Sequence, residues 1–243
     1  MPERLELLGY PLDAVDLEGA VRVLLGWMDA PGAQPHTVIT LNPEIVVQAD
    51  ADLELARVIR QADLVTADGV GIVWAAKRLL RRELPGRAPG YDLSVRLLEE
   101  RGPSLRVFFL GGKPGVAEAA AQRARALYGV QVVGSAHGYF KHDGVEDRAV
   151  AERIRDARPE LLLTALGAGK QEGFNERFRD LMGVPVSIGV GGTLDVLAGT
   201  ANLAPEWTRR LGVEWIWRVA GDRKRWGRAP RLGQFVLRVL RTR

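Results

Sequence analysis

The chain has 243 residues, 47% of them apolar and 26% charged, and no cysteine. That is enough chain for a sizeable core; it is not the composition of a disordered protein, and it excludes disulfides, thiolate metal sites and cysteine nucleophiles. The net charge of +4 conceals an asymmetry: residues 207–243 hold 11 basic and 2 acidic residues, a balance of +9, whereas residues 1–206 stand at −5.

The opening stretch MPERLELLGYPLD is charged and has no apolar h-region, so no signal peptide is expected. No uncharged run of 18 apolar residues occurs, so no transmembrane helix is expected either. From His36 onward, short β-rich runs alternate with helical stretches. HTVITLN (36–42) reads as a strand, and Pro43 and Glu44 open a helix toward Arg60. DLVTAD (63–68) reads as a strand followed by a helical GVGIVWAAKRLL, and DLSVRLLEE (92–100) as a helix. LRVFFLGG (105–112) is a strand ending in a glycine turn, and the helix after it stops at Gly129. VQVVGS is a strand and EDRAVAERIRDA a helix. ELLLTALG (160–167) is a strand, KQEGFNERFRDLM a helix and VPVSIGVGG a buried strand. Near-continuous apolar strands alternating with helices predict an α/β fold, a mainly parallel sheet with helices on both faces.

After Gly199 only helical patterning remains, with four of the six tryptophans in residues 207–243. Near the end, Leu232, Phe235, Val236, Val239 and Leu240 fall on one helical face flanked by Arg231, Arg238 and Arg241. The expected division is an α/β catalytic domain over residues 1–199 and a basic, Trp-rich helical appendage over 200–243. The apolar face of that last helix either enters a membrane interface or docks on the body.

Ligands of open α/β sheets bind beyond the C-terminal ends of the strands. The residues predicted there are Thr40, Asn42 and Glu44; Asp68 and Gly69; Gly111 and Gly112; Gly167, Lys170, Gln171 and Glu172; and Gly191, Gly192 and Asp195. Unusual polar residues and glycines concentrate at these places, which is the pattern of an enzyme. LGAGKQE is not a Walker A loop, because Thr164 stands in the first glycine position and Gln171 follows Lys170. It remains either a plain βα turn or a helix N-terminus suited to an anion. GVGGTL fails the dinucleotide fingerprint at Leu194. Asp68 is either a general base or a helix N-cap. Asp195 has the same ambiguity. Thr40, Asn42 and Glu44 alternate, so they share a pocket or simply start a helix. His36, His137 and His142 lack ligand spacing, so no metal site is expected. No Asp-x-Asp occurs, so a diphosphate would be met by arginines and backbone amides.

Six segments in order resemble one family: TLNPE (40–44), ADGVG (67–71), RAPGYDL (87–93), LGAGKQE, GVGGTLDVLAGTANLAPEW and GVEWIWRV. The chain is identified on them, over roughly residues 5–228, as a member of the WecG/TagA/CpsF glycosyltransferases, glycosyltransferase family 26. The resemblance implies a GT-E-like fold and an inverting, metal-independent transfer of a sugar from a UDP-sugar to a polyprenyl-diphosphate-linked N-acetylglucosamine. The sugar it implies is N-acetylmannosamine or its uronic acid, in cell-surface polysaccharide synthesis. It implies no cofactor beyond the donor substrate. It also implies an anionic membrane surface as partner, and a cytoplasmic protein held peripherally on the inner face of the cell membrane.

By resemblance, Asp68 is the catalytic base, Thr40 and Asn42 are active-site residues, and Arg87 and Gln171 lie near the donor. Asp92 belongs to the same segment as Arg87. The appendage is linked to membrane docking and active-site closure, and its arginines correspond to Arg218, Arg225 and Arg228. Three departures stand out: Gly169 replaces proline and loosens its turn, Leu203 replaces arginine, and Val213 replaces leucine. A nucleic-acid-binding protein using the +9 tail is the alternative, though it leaves the strand-end residues unused. Homo-oligomerisation stays open.

Overall fold

The computed structural model describes residues 1–142, 144–203 and 229–242. The chain opens with an antiparallel hairpin of β1 (Arg4–Leu7) and β2 (Tyr10–Asp13). Leu8 and Gly9 make its two-residue turn, both at positive φ, as a turn matched to strand twist requires. Helix α1 (Leu17–Asp29) follows, capped by Asp16, which accepts from the Gly19 amide at 2.8 Å. Hairpin and helix add to the sequence-predicted elements, which begin at His36.

Six strands then build a parallel sheet: β3 (His36–Leu41), β4 (Leu64–Ala67), β5 (Arg106–Gly111), β6 (Gln131–Ala136), β7 (Leu161–Ala165) and β8 (Val186–Gly189). Their order is β4-β3-β8-β7-β5-β6, and every neighbouring pair is parallel. Ten further helices among the described residues connect or follow them. They are α2 (Pro43–Ala51), α3 (Leu53–Gln61), α4 (Val70–Leu80), α5 (Gly90–Arg101) and α6 (Val116–Tyr128), then α7 (Val145–Ala157), α8 (Lys170–Arg177), α9 (Arg179–Met182), α10 (Thr193–Leu197) and α11 (Ala229–Arg241).

Two predicted helices are each broken once. The stretch from Pro43 divides at Asp52, whose carboxylate accepts from Glu54 and Leu55 amides at 3.0 Å and so caps a new helix. KQEGFNERFRDLM divides at Phe178, a buried aromatic with non-helical backbone between α8 and α9.

Strand alternation explains the layers. Val38, Val107, Phe109, Leu161, Leu163, Val186 and Ile188 face one side and join the buried residues of α1, α5 and α6 in a continuous core. The opposite face holds two separate cores. Ile39, Leu41, Val65 and Ala67 pack with α2, α3 and α4, while Phe108, Leu110 and Leu162 pack with α7, α8 and α9. Between them runs a polar seam. There α8 lays Gln171, Glu172 and Asn175, all buried, toward Thr164 of β7 and the Ser187–Gly189 end of β8.

Helix α11 docks on the body. Phe235 and Val239 are fully buried among Ile45, Val46 and Ala49 of α2 and Ile72 and Ala75 of α4. Arg231 pairs with Glu44 at 2.8 Å; Arg238 pairs with Asp50 and donates to the Leu8 carbonyl at 2.8 Å. The buried stripe is only one residue wide at each turn, so Val236, Leu237 and Leu240 stay exposed. No helix among the described residues is long and apolar enough to cross a membrane.

Candidate active site

The strand register brings the first candidates together. β3 and β4 pair Thr40 with Thr66 and Leu41 with Ala67, and the Asp68 amide continues the ladder to the Leu41 carbonyl at 2.8 Å. Asn42 and Asp68 are therefore side by side as the two strands end. Asn42 caps α2, its Oδ1 accepting from the Glu44 and Ile45 amides at 3.0 Å. The N-cap of α4 is Gly69, at φ +93°, so Asp68 stands one residue outside the helix and is not its N-cap.

The segment after α4 closes the other side of Asp68. Ala88 donates to the Ala67 carbonyl at 3.0 Å and accepts from Thr66 Oγ1 at 2.9 Å, which lays Arg87 beside the end of β4. Helix α5 then starts at Gly90 against the ends of β3 and β8. A Cβ on Gly90 would lie 3.3 Å from Thr40 Oγ1 and 3.6 Å from Val190 Cα, so glycine lets the helix start approach this closely. Asp92 lies in that first turn. Thr40 is buried and donates to the Gly189 carbonyl at 3.3 Å, which ties β3 to β8 at this point. Glu44 accepts the ion pair from Arg231 of α11.

The next two strands add the glycine turns. Lys170 is exposed at the start of α8, whereas Gln171 and Glu172 behind it are 3% and 2% exposed. Glu172 accepts from the Gly169 amide at 2.7 Å and from Gln171 Nε2 at 2.8 Å; Gln171 Oε1 accepts from the Gly191 amide at 3.1 Å. Burial pushes the Glu172 carboxyl above the usual carboxylate range, against the lowering effect of the hydrogen bonds it accepts. Gly169 has φ +85°, a value closed to proline, so this turn takes a different path from a proline turn instead of a looser version of it. Gly192 caps α10, and Asp195 lies in that helix's first turn, its carbonyl accepting from Thr200 and Ala201 amides.

Gly111 and Gly112 end β5 beside the β7 turn, the Gly112 amide donating to the Ala165 carbonyl at 3.1 Å. A Cβ on Gly111 would come within 2.3 Å of the Ala165 carbonyl oxygen, so glycine there lets the β5 turn cross β7. Their turn lies four places along the sheet from Asp68, roughly 19 Å at the ordinary strand spacing. The structure thus lines up Thr40, Asn42, Asp68, Arg87, Asp92 and the β8, β7 and β5 turns along the C-terminal edge of the sheet, with Gly111 and Gly112 at the end of that row far from Asp68. Arg218, Arg225 and Arg228 lie outside the described residues. Sequence reasoning missed Thr66, which has no pattern of its own. It also missed the link from Gly169 to Glu172, although a carboxylate three residues past a helix start is a capping-box spacing.

This geometry defines an α/β enzyme with its polar residues at the strand ends. The family model described as Glycosyl transferase WecG/TagA/CpsF family matches residues 5–243. The chain is 34% identical over 206 residues to an N-acetylglucosaminyldiphosphoundecaprenol N-acetyl-beta-D-mannosaminyltransferase of Bacillus spizizenii, covering 84% of this chain and 78% of the relative. It is 33% identical over 207 residues to the protein of the same name from Bacillus subtilis, with the same coverage of 84% and 78%. The chain belongs to the WecG/TagA/CpsF glycosyltransferase family.

Proposed function

We propose that the protein transfers N-acetylmannosamine, or its uronic acid, from a UDP-sugar to a polyprenyl-diphosphate-linked N-acetylglucosamine, inverting the anomeric centre without a metal ion. The names of the two Bacillus relatives supply the sugar and the acceptor. The observation that carries the mechanism is the pairing of Asn42 and Asp68 at adjacent strand ends, with Arg87 beside them. Asp68 takes the proton from the acceptor hydroxyl as its oxygen bonds to the anomeric carbon. The carbon–oxygen bond to the nucleotide breaks on the opposite face. The departing diphosphate gathers negative charge, which arginine side chains and backbone N–H groups stabilise more strongly than they do the intact donor.

Residues 1–199 serve as the catalytic domain and 200–243 as the appendage, in which Arg218, Arg225 and Arg228 reach the phosphate or lipid. The protein works at the inner face of the cytoplasmic membrane. Support comes from α11, whose Val236, Leu237 and Leu240 are 37%, 52% and 50% exposed on a helix whose charged residues are all arginines. Such a stripe suits the headgroup boundary of an anionic bilayer. The test is mass spectrometry of products formed from a panel of UDP-sugars with a short-chain lipid-linked acceptor. A product heavier than the acceptor by one N-acetylhexosamine or its uronic acid is expected. Transfer from none of the panel would end this reading.

A further inference from the structure

Gln171 and Glu172 form a chain of three hydrogen bonds between two turns. The Gly191 amide donates to Gln171 Oε1, Gln171 Nε2 donates to Glu172 Oε1, and the Gly169 amide donates to Glu172 Oε2. Both ends of this chain are backbone N–H groups, so both ends need acceptors. With one bond in the middle, only one amide and one carboxylate satisfy every member. Two amides would set N–H against N–H, and two carboxylates would set lone pair against lone pair. Gly189 lies beneath: a Cβ there would sit 2.7 Å from Gln171 Nε2 and 2.9 Å from Glu172 Oε1. The clasp thus occupies the polar seam between the two cores of that face.

We propose that Gln171 and Glu172 are positioning residues that lock the β7–α8 and β8–α10 turns into one rigid cradle. They thereby set donor affinity without touching the donor. This rests on the reading that a UDP-sugar binds at these strand ends. Each side-chain nitrogen and oxygen of the pair bonds to the other residue or to a turn, while Lys170 is exposed and, with the outer face of each turn, is placed to meet a ligand. A satisfied buried network fixes a single geometry, and donors fixed before binding need no reorganisation when an anion arrives.

The test measures UDP binding to the full chain by calorimetry, with thermal unfolding alongside. Glu172→Gln and Gln171→Glu each break the donor–acceptor alternation. Each should weaken UDP binding about tenfold or more, the order expected from one unsatisfied buried group. The double exchange, Gln171→Glu with Glu172→Gln, restores all three bonds with the roles reversed and should bring UDP affinity back near the wild-type level. Gly189→Ala pushes the pair aside while keeping both side chains, and should bind UDP as poorly as the single exchanges. A merely structural role would shift unfolding temperature and leave UDP affinity alone, and that result overturns the proposal. A double exchange no better than the worse single variant also overturns it, because a direct donor contact by Gln171 gives that outcome. A wild-type chain that fails to bind UDP overturns the donor reading and the affinity claim together. Binding by wild type with unchanged variants overturns the clasp alone.

Discussion

The two ends of the parallel sheet are built from different chemistry. At the N-terminal ends of the strands, carboxylates and guanidinium groups stitch backbone to backbone. Asp13 accepts from the Val65 amide at 2.7 Å and from Arg4 at 2.8 and 2.9 Å. Asp63 accepts from the Thr37 amide at 2.8 Å and from Arg179 at 3.1 Å. Glu160 accepts from the Arg106 amide at 3.0 Å, and Arg106 donates in turn to the Ala157 and Arg158 carbonyls. At the C-terminal ends the turns are glycines, and single polar residues such as Asn42 and Asp68 are held by strand register. One end spends its charges on closing the fold. The other keeps polar residues and backbone at the strand ends, where a ligand can use them.

The contrast is tested first where the largest effect is expected. Asp68→Asn keeps the shape of the β4 turn and removes the base. Transfer should fall by about 10²–10⁴, the usual contribution of general-base catalysis, while UDP binding stays near the wild-type level. Near-wild-type turnover by this variant would sink the assignment. The opposite end should respond the other way. Asp13→Ala leaves the Val65 amide of the edge strand without its partner and Arg4 with only the Asp63 carbonyl, at a cost of about 1–3 kcal/mol in stability, the order expected from one unsatisfied buried group. Its kcat, measured well below the lowered melting temperature, should be unchanged. A drop in kcat larger than the loss of folded protein would show that the two ends are not separable.

The same contrast explains what was legible in the sequence. Apolar runs of four to six residues betray buried strands, so the sheet was readable through β8, and strand ends follow from strands. The role of Asp68 was not readable, because a base and an N-cap use the same residue one position apart. The backbone adds that Gly69, not Asp68, takes the N-cap position of α4. The hairpin and α1 were passed over because RLELLGYPLD carries too short an alternation to stand out. The splitting of the second face into two cores, with a polar seam between, depends on which strands become neighbours. Sequence order does not give that: β8 inserts between β3 and β7. Gln171 and Glu172 therefore read as ligand groups in the sequence and as a buried pair in the fold.

The smallest expected effect lies in that seam and concerns pH. The affinity of the Glu172 carboxyl for a proton rises on folding, chiefly because burial disfavours its charge. The sign follows from linkage. Just above the ordinary carboxyl value of 4.5 the folded chain holds this proton more tightly than the unfolded chain, so it binds more protons there. The stability contributed by Glu172 is thus greatest at and below that pH. It declines as pH rises toward the folded value and is level beyond it. Urea unfolding of wild type and Glu172→Ala across this range isolates the term, since every other titrating group is common to both. The stability difference, wild type minus variant, should shrink with rising pH. A difference that grows instead would mean that the hydrogen bonds from Gly169 and Gln171 outweigh burial. The clasp would then favour the ionised carboxylate over the neutral acid in spite of its burial.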